Sequence, residues 1–307
     1  MAVEEIKALG AQLRNWGRWG ADDERGTTNL ITPELIVAAA RLIRTGKVFD
    51  LGIDLERDGP QPGGARDNPR HWMTETGEDQ ELPGGFHYAD DCITMNLQAV
   101  TQWDGLGHAY YDDQLYNGFP ASEVNVHGAA RNSIHMQAKG IAGRGVLLDV
   151  AGLVGVEWLE AGFAIQPSHL EAAMERQGGP EVGPGDIVVV RTGWRRYWLA
   201  ARDARSFQGR QPGLGIACCQ WLHDRDVAAV ASDNTAVEVA PYEQKGMMLP
   251  LHAILIRDMG MTLGEMFDLE ELNADCQADG VWEFFLCAPP LKVKGGVGSP
   301  LNPLAIK

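Results

Sequence analysis

Hydrophobic positions along the chain fall into short continuous runs, separated by polar and glycine-rich stretches, with two segments of helical pattern among them. Six runs have β character: residues 48–55, 92–101, 145–150, 186–192, 227–232 and 283–287. Several are apolar throughout, as in GDIVVVRT over 185–192, which suits strands covered on both faces. The run 92–101 instead alternates Ile93, Met95, Leu97 and Ala99 with Thr94, Asn96 and Gln98. That period predicts a strand with one buried face and one polar face free to line a pocket.

Helix signals are local and specific. Thr32 offers an N-cap, Pro33 a first-turn proline and Glu34 an acid at the positive end, ahead of an apolar segment that should stop at Gly46. Ser168 with Glu171 makes a capping-box pattern for a second helix, ended by Gly178 and Gly179. Between these elements, residues 58–79 are crowded with Gly, Pro and charge and predict a long surface loop. Strands mixed with helices, without strict β-α-β alternation, argue for an α/β fold in which a mixed sheet is layered with helices. One domain spanning 1–307 is expected, with residues 1–57 as a helical and extended arm packed on it.

Composition narrows the function. The chain has 307 residues and a formal net charge of -16, so without a concentrated basic patch it repels phosphate backbones and anionic bilayers. No nucleic acid or membrane partner is expected. No apolar run approaches the roughly 20 residues of a membrane span, and the first residues lack a basic-then-apolar secretion layout, so a cytoplasmic setting is expected. Five scattered cysteines, Cys92, Cys218, Cys219, Cys276 and Cys287, without C-x-x-C spacing, indicate neither a disulfide framework nor a thiolate zinc site. Cys218 and Cys219 lie among apolar neighbours, where a thiol is inert.

Candidate chemistry gathers at two places. Asp104 and His108 stand four residues apart beside Gly105 and Gly107 at the end of a β run. Carboxylate oxygen and imidazole nitrogen suit a divalent cation, and a structural hydrogen bond is the alternative. His252 opens an apolar run and Glu265 follows it in a hydrophobic setting, with no opposite charge close by in sequence. A buried charge there requires a partner or a metal. Asp233, at the end of an apolar strand, either orients a ligand or caps a turn. Trp103 could wall a pocket for a flat substrate or pack for its area alone. No G-x-S-x-G elbow, dinucleotide fingerprint or H-E-x-x-H motif is present.

In order along the chain, WGADDERGTTNLI from Trp19, QWDGLGH from Gln102, GVLLDV from Gly145, GDIVVVRTGW from Gly185, ASDNT from Ala231, LPLH from Leu249, Gly264 with Glu265, and GSPLNPLAI from Gly298 together resemble the putative cyclase family. That family includes bacterial kynurenine formamidase, isatin hydrolase and trans-dienelactone hydrolase. The resemblance implies a swivelling β/β/α type of fold, a metal-dependent hydrolase and a homo-oligomer, dimer or tetramer. The family's central motif, H-x-G-T-H-x-D-x-P-x-H, aligned on His108, puts Asp104 at the first histidine, Tyr110 at the aspartate, Asp112 at the proline and Gln114 at the last histidine. Asp112 stands out of register as a substitute for the missing aspartate. The family's later ligands match His252 and Glu265.

The resemblance therefore implies one divalent metal ion, Zn or Mn, held by Asp104, His108 and His252, with Glu265 as a fourth ligand or as the base that activates water. Tyr111 and His135 are candidates for proton transfer and His87 for the substrate pocket, each with ordinary packing as the alternative. The function expected is opening of an amide, formamide or lactone bond in a small cyclic or aromatic substrate. A metal-dependent lyase or cyclase, and a non-catalytic small-molecule-binding relative, are the other readings.

Overall fold

The computed structural model describes residues 2–78, 80–244 and 246–307. Met1, where the expected arm begins, and Asp79, where the expected loop ends, lie outside the described residues. Nine strands form the main sheet: β1 Val48–Asp50, β2 Gln102–Asp104, β3 Ala142–Asp149, β4 Ile187–Arg191, β5 Ala229–Ser232, β6 Thr262–Glu265, β7 Glu283–Cys287, β8 Gly298–Pro300 and β9 Leu304–Ile306. Their order is β1-β9-β7-β3-β4-β5-β6-β2-β8. The four central strands, β3 to β6, run parallel, and every pairing outside them is antiparallel. The result is a mixed sheet layered with helices, the α/β architecture expected.

Side-chain alternation sorts each central strand into two cores. Val146, Leu148, Val188, Val190, Val230 and Leu263 belong to one, with Leu170 and Leu222 from covering helices. Leu147, Ile187, Val189, Ala229 and Ala231 point the other way, onto Ile31, Leu272 and Cys276. Burial on both faces explains why these strands read as continuous apolar runs. Among the described residues, no helix is long and apolar enough to cross a membrane.

Four local expectations need correction. The run 92–101 is not a sheet strand with a pocket-lining face. Asp90–Thr94 pairs with Arg70–Glu75 in a separate hairpin whose residues are all exposed, and the main-sheet strand β2 begins only at Gln102. The helix capped by Thr32 is Pro33–Ala40 and stops short of Gly46. Its expected last turn is drawn off by the chain end, where the N–H groups of Thr45 and Gly46 donate to the carbonyl of Lys307 at 3.1 and 2.7 Å. The second helix is Pro167–Arg176, capped by Gln166, whose N–H donates to His169 Nδ1 at 3.0 Å. Ser168 is inside its first turn. The 58–79 segment also is not simply a loose loop, because residues 59–61 are buried and Arg70–Glu75 is a strand.

Candidate metal centre

Strands β2 and β6 lie side by side, with Leu263 opposite Asp104, Gly264 opposite Trp103 and Glu265 opposite Gln102. Because side chains alternate, Gln102, Asp104 and Glu265 share one face and Trp103 takes the other. Trp103 is fully buried there, its ring 5.4 Å from that of Phe267 and its indole N–H donating to the Ala288 carbonyl at 2.8 Å. The expectation that Trp103 walls a substrate pocket is thus replaced by a core role. Gly264 makes room for it: a Cβ at that position would lie 2.5 Å from the indole and 2.6 Å from Ala231 Cβ.

His252 arrives on the polar face from a helix. Pro250–His252 is one α-helical turn that continues into a π-helix, Ala253–Met259, all of it buried. Glu238 anchors the start of this helix by accepting from the N–H groups of Leu251 and His252 at 3.3 and 3.0 Å. Its Oε1 also lies 2.5 Å from His252 Nδ1. A proton on Nδ1 is thereby engaged, and Nε2 faces two carboxylates, Glu265 Oε1 at 3.2 Å and Asp104 Oδ2 at 3.6 Å.

Asp104, His252 and Glu265 each offer a ligand atom, and these atoms all lie within 4.8 Å of one another. Gln102 Nε2 donates to Glu265 Oε2 at 2.7 Å and to Asp104 Oδ1 at 3.3 Å, fixing both acids. Among the described residues, Asp104 Oδ2 and Gln102 Oε1 are buried without any hydrogen-bond partner. His108 Nε2 stands 3.8 Å from Asp104 Oδ1, with about a fifth of its side chain exposed.

The electrostatics follow from this crowding. Burial and then the charge of Asp104 push the Glu265 carboxyl up to about 7. Burial also opposes ionisation of Asp104, but His108 and His252 outweigh it and the net shift is downward. Burial works against a charged His252, yet its carboxylate neighbours raise it well above the ordinary histidine value. Burial lowers His108 against the pull of Asp104. Two buried acids, one with an orphaned oxygen, and a histidine locked through its far nitrogen form a donor set of the type that holds a divalent metal ion.

The other expected residues are placed elsewhere or otherwise engaged. Tyr111 donates its hydroxyl to Asp258 Oδ2 at 2.7 Å and lies under the guanidinium of Arg257, 3.8 Å from the ring centroid. His135 Nδ1 is 2.8 Å from Ser133 Oγ. His87 is exposed, with Nδ1 3.0 Å from the Gly77 carbonyl in the 58–79 segment. Asp233 accepts from Thr192 N, Thr192 Oγ1 and Gly193 N at 2.9, 2.6 and 2.7 Å, so both its oxygens pin a turn and the ligand-orienting role gives way to that one. Tyr110 is exposed, Asp112 pairs with Lys7 at 2.6 Å and Gln114 accepts from Arg257 at 3.1 Å. Burial raises the Cys218 thiol to about 12, in line with an inert core residue.

Glu238 and Gln102 were not singled out by sequence. Glu238 carries the same signal as Glu265, an acid in an apolar run, but its partner is a histidine 14 positions away. Gln102 had no signal beyond its place beside Trp103.

A family model described as putative cyclase matches residues 49–239, a range that includes Asp104, His108 and Glu238 but ends before His252 and Glu265. Isatin hydrolase from Roseibium aggregatum is 27% identical over 145 residues, 45% of this chain and 51% of that protein. The chain thus spans about half the length of the curated relative it matches. A solved structure of a novel cyclase is 42% identical, with a TM-score of 0.88 and coverage of 96% of this chain and 99% of the other. Isatin hydrolase A from Ralstonia solanacearum shares the fold at 20% identity, with a TM-score of 0.65 over 90% of this chain and 97% of that one.

Proposed function

Since the chain belongs to the putative cyclase family, we propose that it is a metal-dependent hydrolase that opens an amide, formamide or lactone bond in a small cyclic or aromatic substrate. One observation carries this reading: Asp104, His252 and Glu265 converge within 4.8 Å on a buried spot. The identity proposed for the ion is Zn or Mn, held by these residues with His108 beside them. Bound there, a divalent cation makes water more acidic and polarises a carbonyl.

The chain's own groups would divide the remaining work. Glu265 would either complete the ligand set or, left off the ion, take a proton from water and return it to the leaving group. Gln102 orients its carboxylate through the 2.7 Å hydrogen bond. Glu238 fixes the tautomer and angle of His252. His108, the partly exposed member, stands on the solvent side of the cluster, where a substrate arrives.

A homo-oligomer is part of the proposal. The hairpin of Arg70–Glu75 and Asp90–Thr94 exposes Trp72, Met73 and Ile93, and a two-stranded hairpin open on both faces is marginal in water without a covering surface. A second copy of the chain is the cover proposed. The unpaired cysteines suit a reducing, cytoplasmic setting.

The test is metal content by elemental mass spectrometry on protein purified without a metal-affinity tag, for wild type and for His108→Ala and His252→Ala. About one zinc or manganese per chain, lost in both variants, supports a shared site, and lactones, formamides and isatin-like amides are then screened. A wild type that neither carries metal nor takes it up on titration overturns the proposal.

A further inference from the structure

Among the described residues, nine that are not glycine have a backbone φ in the left-handed region. Five of them are Asp or Asn, which enter it readily, and Arg202 is exposed at a helix end. The other three are apolar: Val237 at +58°, Leu249 at +51° and Met266 at +55°. Each flanks a member of the candidate centre. Val237 precedes Glu238, Met266 follows Glu265, and Leu249 opens the helix that brings His252. A β-branched residue with positive φ is strained, and such strain persists only where the surroundings impose it.

Asn234 imposes two of the three. It is fully buried just after β5, and its Oδ1 accepts the Val237 N–H at 2.8 Å. Its Nδ2 donates to the carbonyls of Pro212 at 2.6 Å and Val237 at 3.3 Å, so one side chain holds both polar groups of the Val237 backbone. Across Val237, the Glu238 N–H donates to the Ala236 carbonyl and closes a three-residue turn of the rare form with positive φ. Anchored in this way, Asn234 presents its own carbonyl to the Met266 N–H at 2.8 Å. Thr101 grips Met266 from the other side, its hydroxyl donating to the Met266 carbonyl at 2.5 Å. The turn that carries Glu238 and the turn that leaves Glu265 therefore meet at a single uncharged residue, which acts on both acids through the backbone.

We propose that Asn234 is a positioning residue of the metal centre, holding Val237 and Met266 in the left-handed conformation that aims Glu238 and Glu265 at His252. This rests on the metal-dependent reading, and one readout below is independent of metal. The alternative is that Asn234 supports the fold alone.

The test follows Zn²⁺ affinity by competition with a chelator, the absorption spectrum of the Co²⁺-loaded protein, and the proton NMR spectrum of the metal-free protein. It compares wild type, Asn234→Ala, Asn234→Ala combined with Val237→Gly, and Tyr111→Phe as a variant destabilised away from the centre. Asn234→Ala should weaken Zn²⁺ by roughly tenfold or more and change the Co²⁺ spectrum. In the metal-free protein it should shift or abolish the far-downfield signal of the His252 Nδ1 proton held by Glu238. Tyr111→Phe should keep all three properties. Val237→Gly, added to Asn234→Ala, should recover part of the Zn²⁺ affinity, because glycine takes positive φ unaided. It deletes a buried side chain, so the melting temperature should fall further while binding improves. If Asn234→Ala does not fold, Asn234→Asp takes its place under the same expectations, since it keeps the size and the acceptor for Val237 while losing both donations. Wild-type affinity and spectra in the Asn234 variant, an equal loss of affinity in Tyr111→Phe, or weaker binding by the double variant than by Asn234→Ala each overturns the proposal. A wild type that takes up neither ion sinks the hydrolase reading instead, and the His252 proton signal still decides the role of Asn234.

Discussion

Glu238 Oε1 sits 2.5 Å from Nδ1 of His252, and the same carboxylate accepts the backbone N–H of His252. One acid therefore sets both the position of the helix start and the orientation of the imidazole, leaving Nε2 directed at Asp104 and Glu265. Partners of this type raise the basicity of a ligand histidine and hold it in one tautomer.

Glu238→Gln should keep the shape and lose the charge. Metal affinity, read by competition with a chelator, should fall by about 10- to 100-fold, the usual effect of removing such a partner. Unchanged affinity would mean that Nε2 of His252 does not depend on Glu238.

Tyr111 separates a catalytic from a structural role. Its hydroxyl is the donor to Asp258 Oδ2 at 2.7 Å, while Oδ1 is served by Arg14 and Arg257. Tyr111→Phe leaves a buried carboxylate oxygen unpaired and should cost about 1–3 kcal/mol in denaturant unfolding. Metal content should not change. A large loss of hydrolysis with no loss of stability would restore Tyr111 as a proton-transfer residue.

Gly264 tests whether the sheet geometry sets the site. Adding a methyl at 2.5 Å from the Trp103 indole and 2.6 Å from Ala231 overpacks a filled core, so Gly264→Ala should destabilise by about 1–3 kcal/mol. Gly264 lies between Leu263 and Glu265, so metal affinity should fall as well. Trp103→Phe in the same chain should recover part of both losses by making room.

What could be read in the sequence was whatever depended on neighbours along the chain. The central strands announced themselves because burial on both faces makes them apolar throughout, as at Ile187–Arg191. Asp104, His252 and Glu265 stood out as polar groups in apolar or glycine-rich settings, where the cost of burial calls for a partner. Short strands such as Gln102–Asp104 and Gly298–Pro300 carry too few residues to show a period. The alternation over 92–101 was genuine but belonged to an exposed hairpin and the segment after it, since tertiary placement decides which face is covered. Trp103 illustrates the same limit: its parity with Asp104 fixes opposite faces only once Asp104 is known to lie within the strand.

Asp233 offers a pH test that isolates one buried acid. Burial pushes its carboxyl up to about 6 from the ordinary 3.8, although Thr192 and Arg191 act in the opposite direction. With the folded value above the unfolded one, the folded state binds the extra proton. The associated stability is fully present below about pH 4 and is lost as pH rises through about 6. Asp233→Asn has no such titration. It also offers one acceptor oxygen where the carboxylate used both, so it should be less stable than wild type at every pH, with Thr192 or Gly193 left unpaired. The gap between the two proteins, measured by urea unfolding, should be larger at pH 4.5 than at pH 7.5, by about 2 kcal/mol, since pH 4.5 lies about 1.5 units below the folded value. Taking the difference cancels the titrations common to both chains. A gap that stays constant or widens toward pH 7.5 would show that the hydrogen bonds from Thr192 and Gly193, rather than burial, dominate at Asp233.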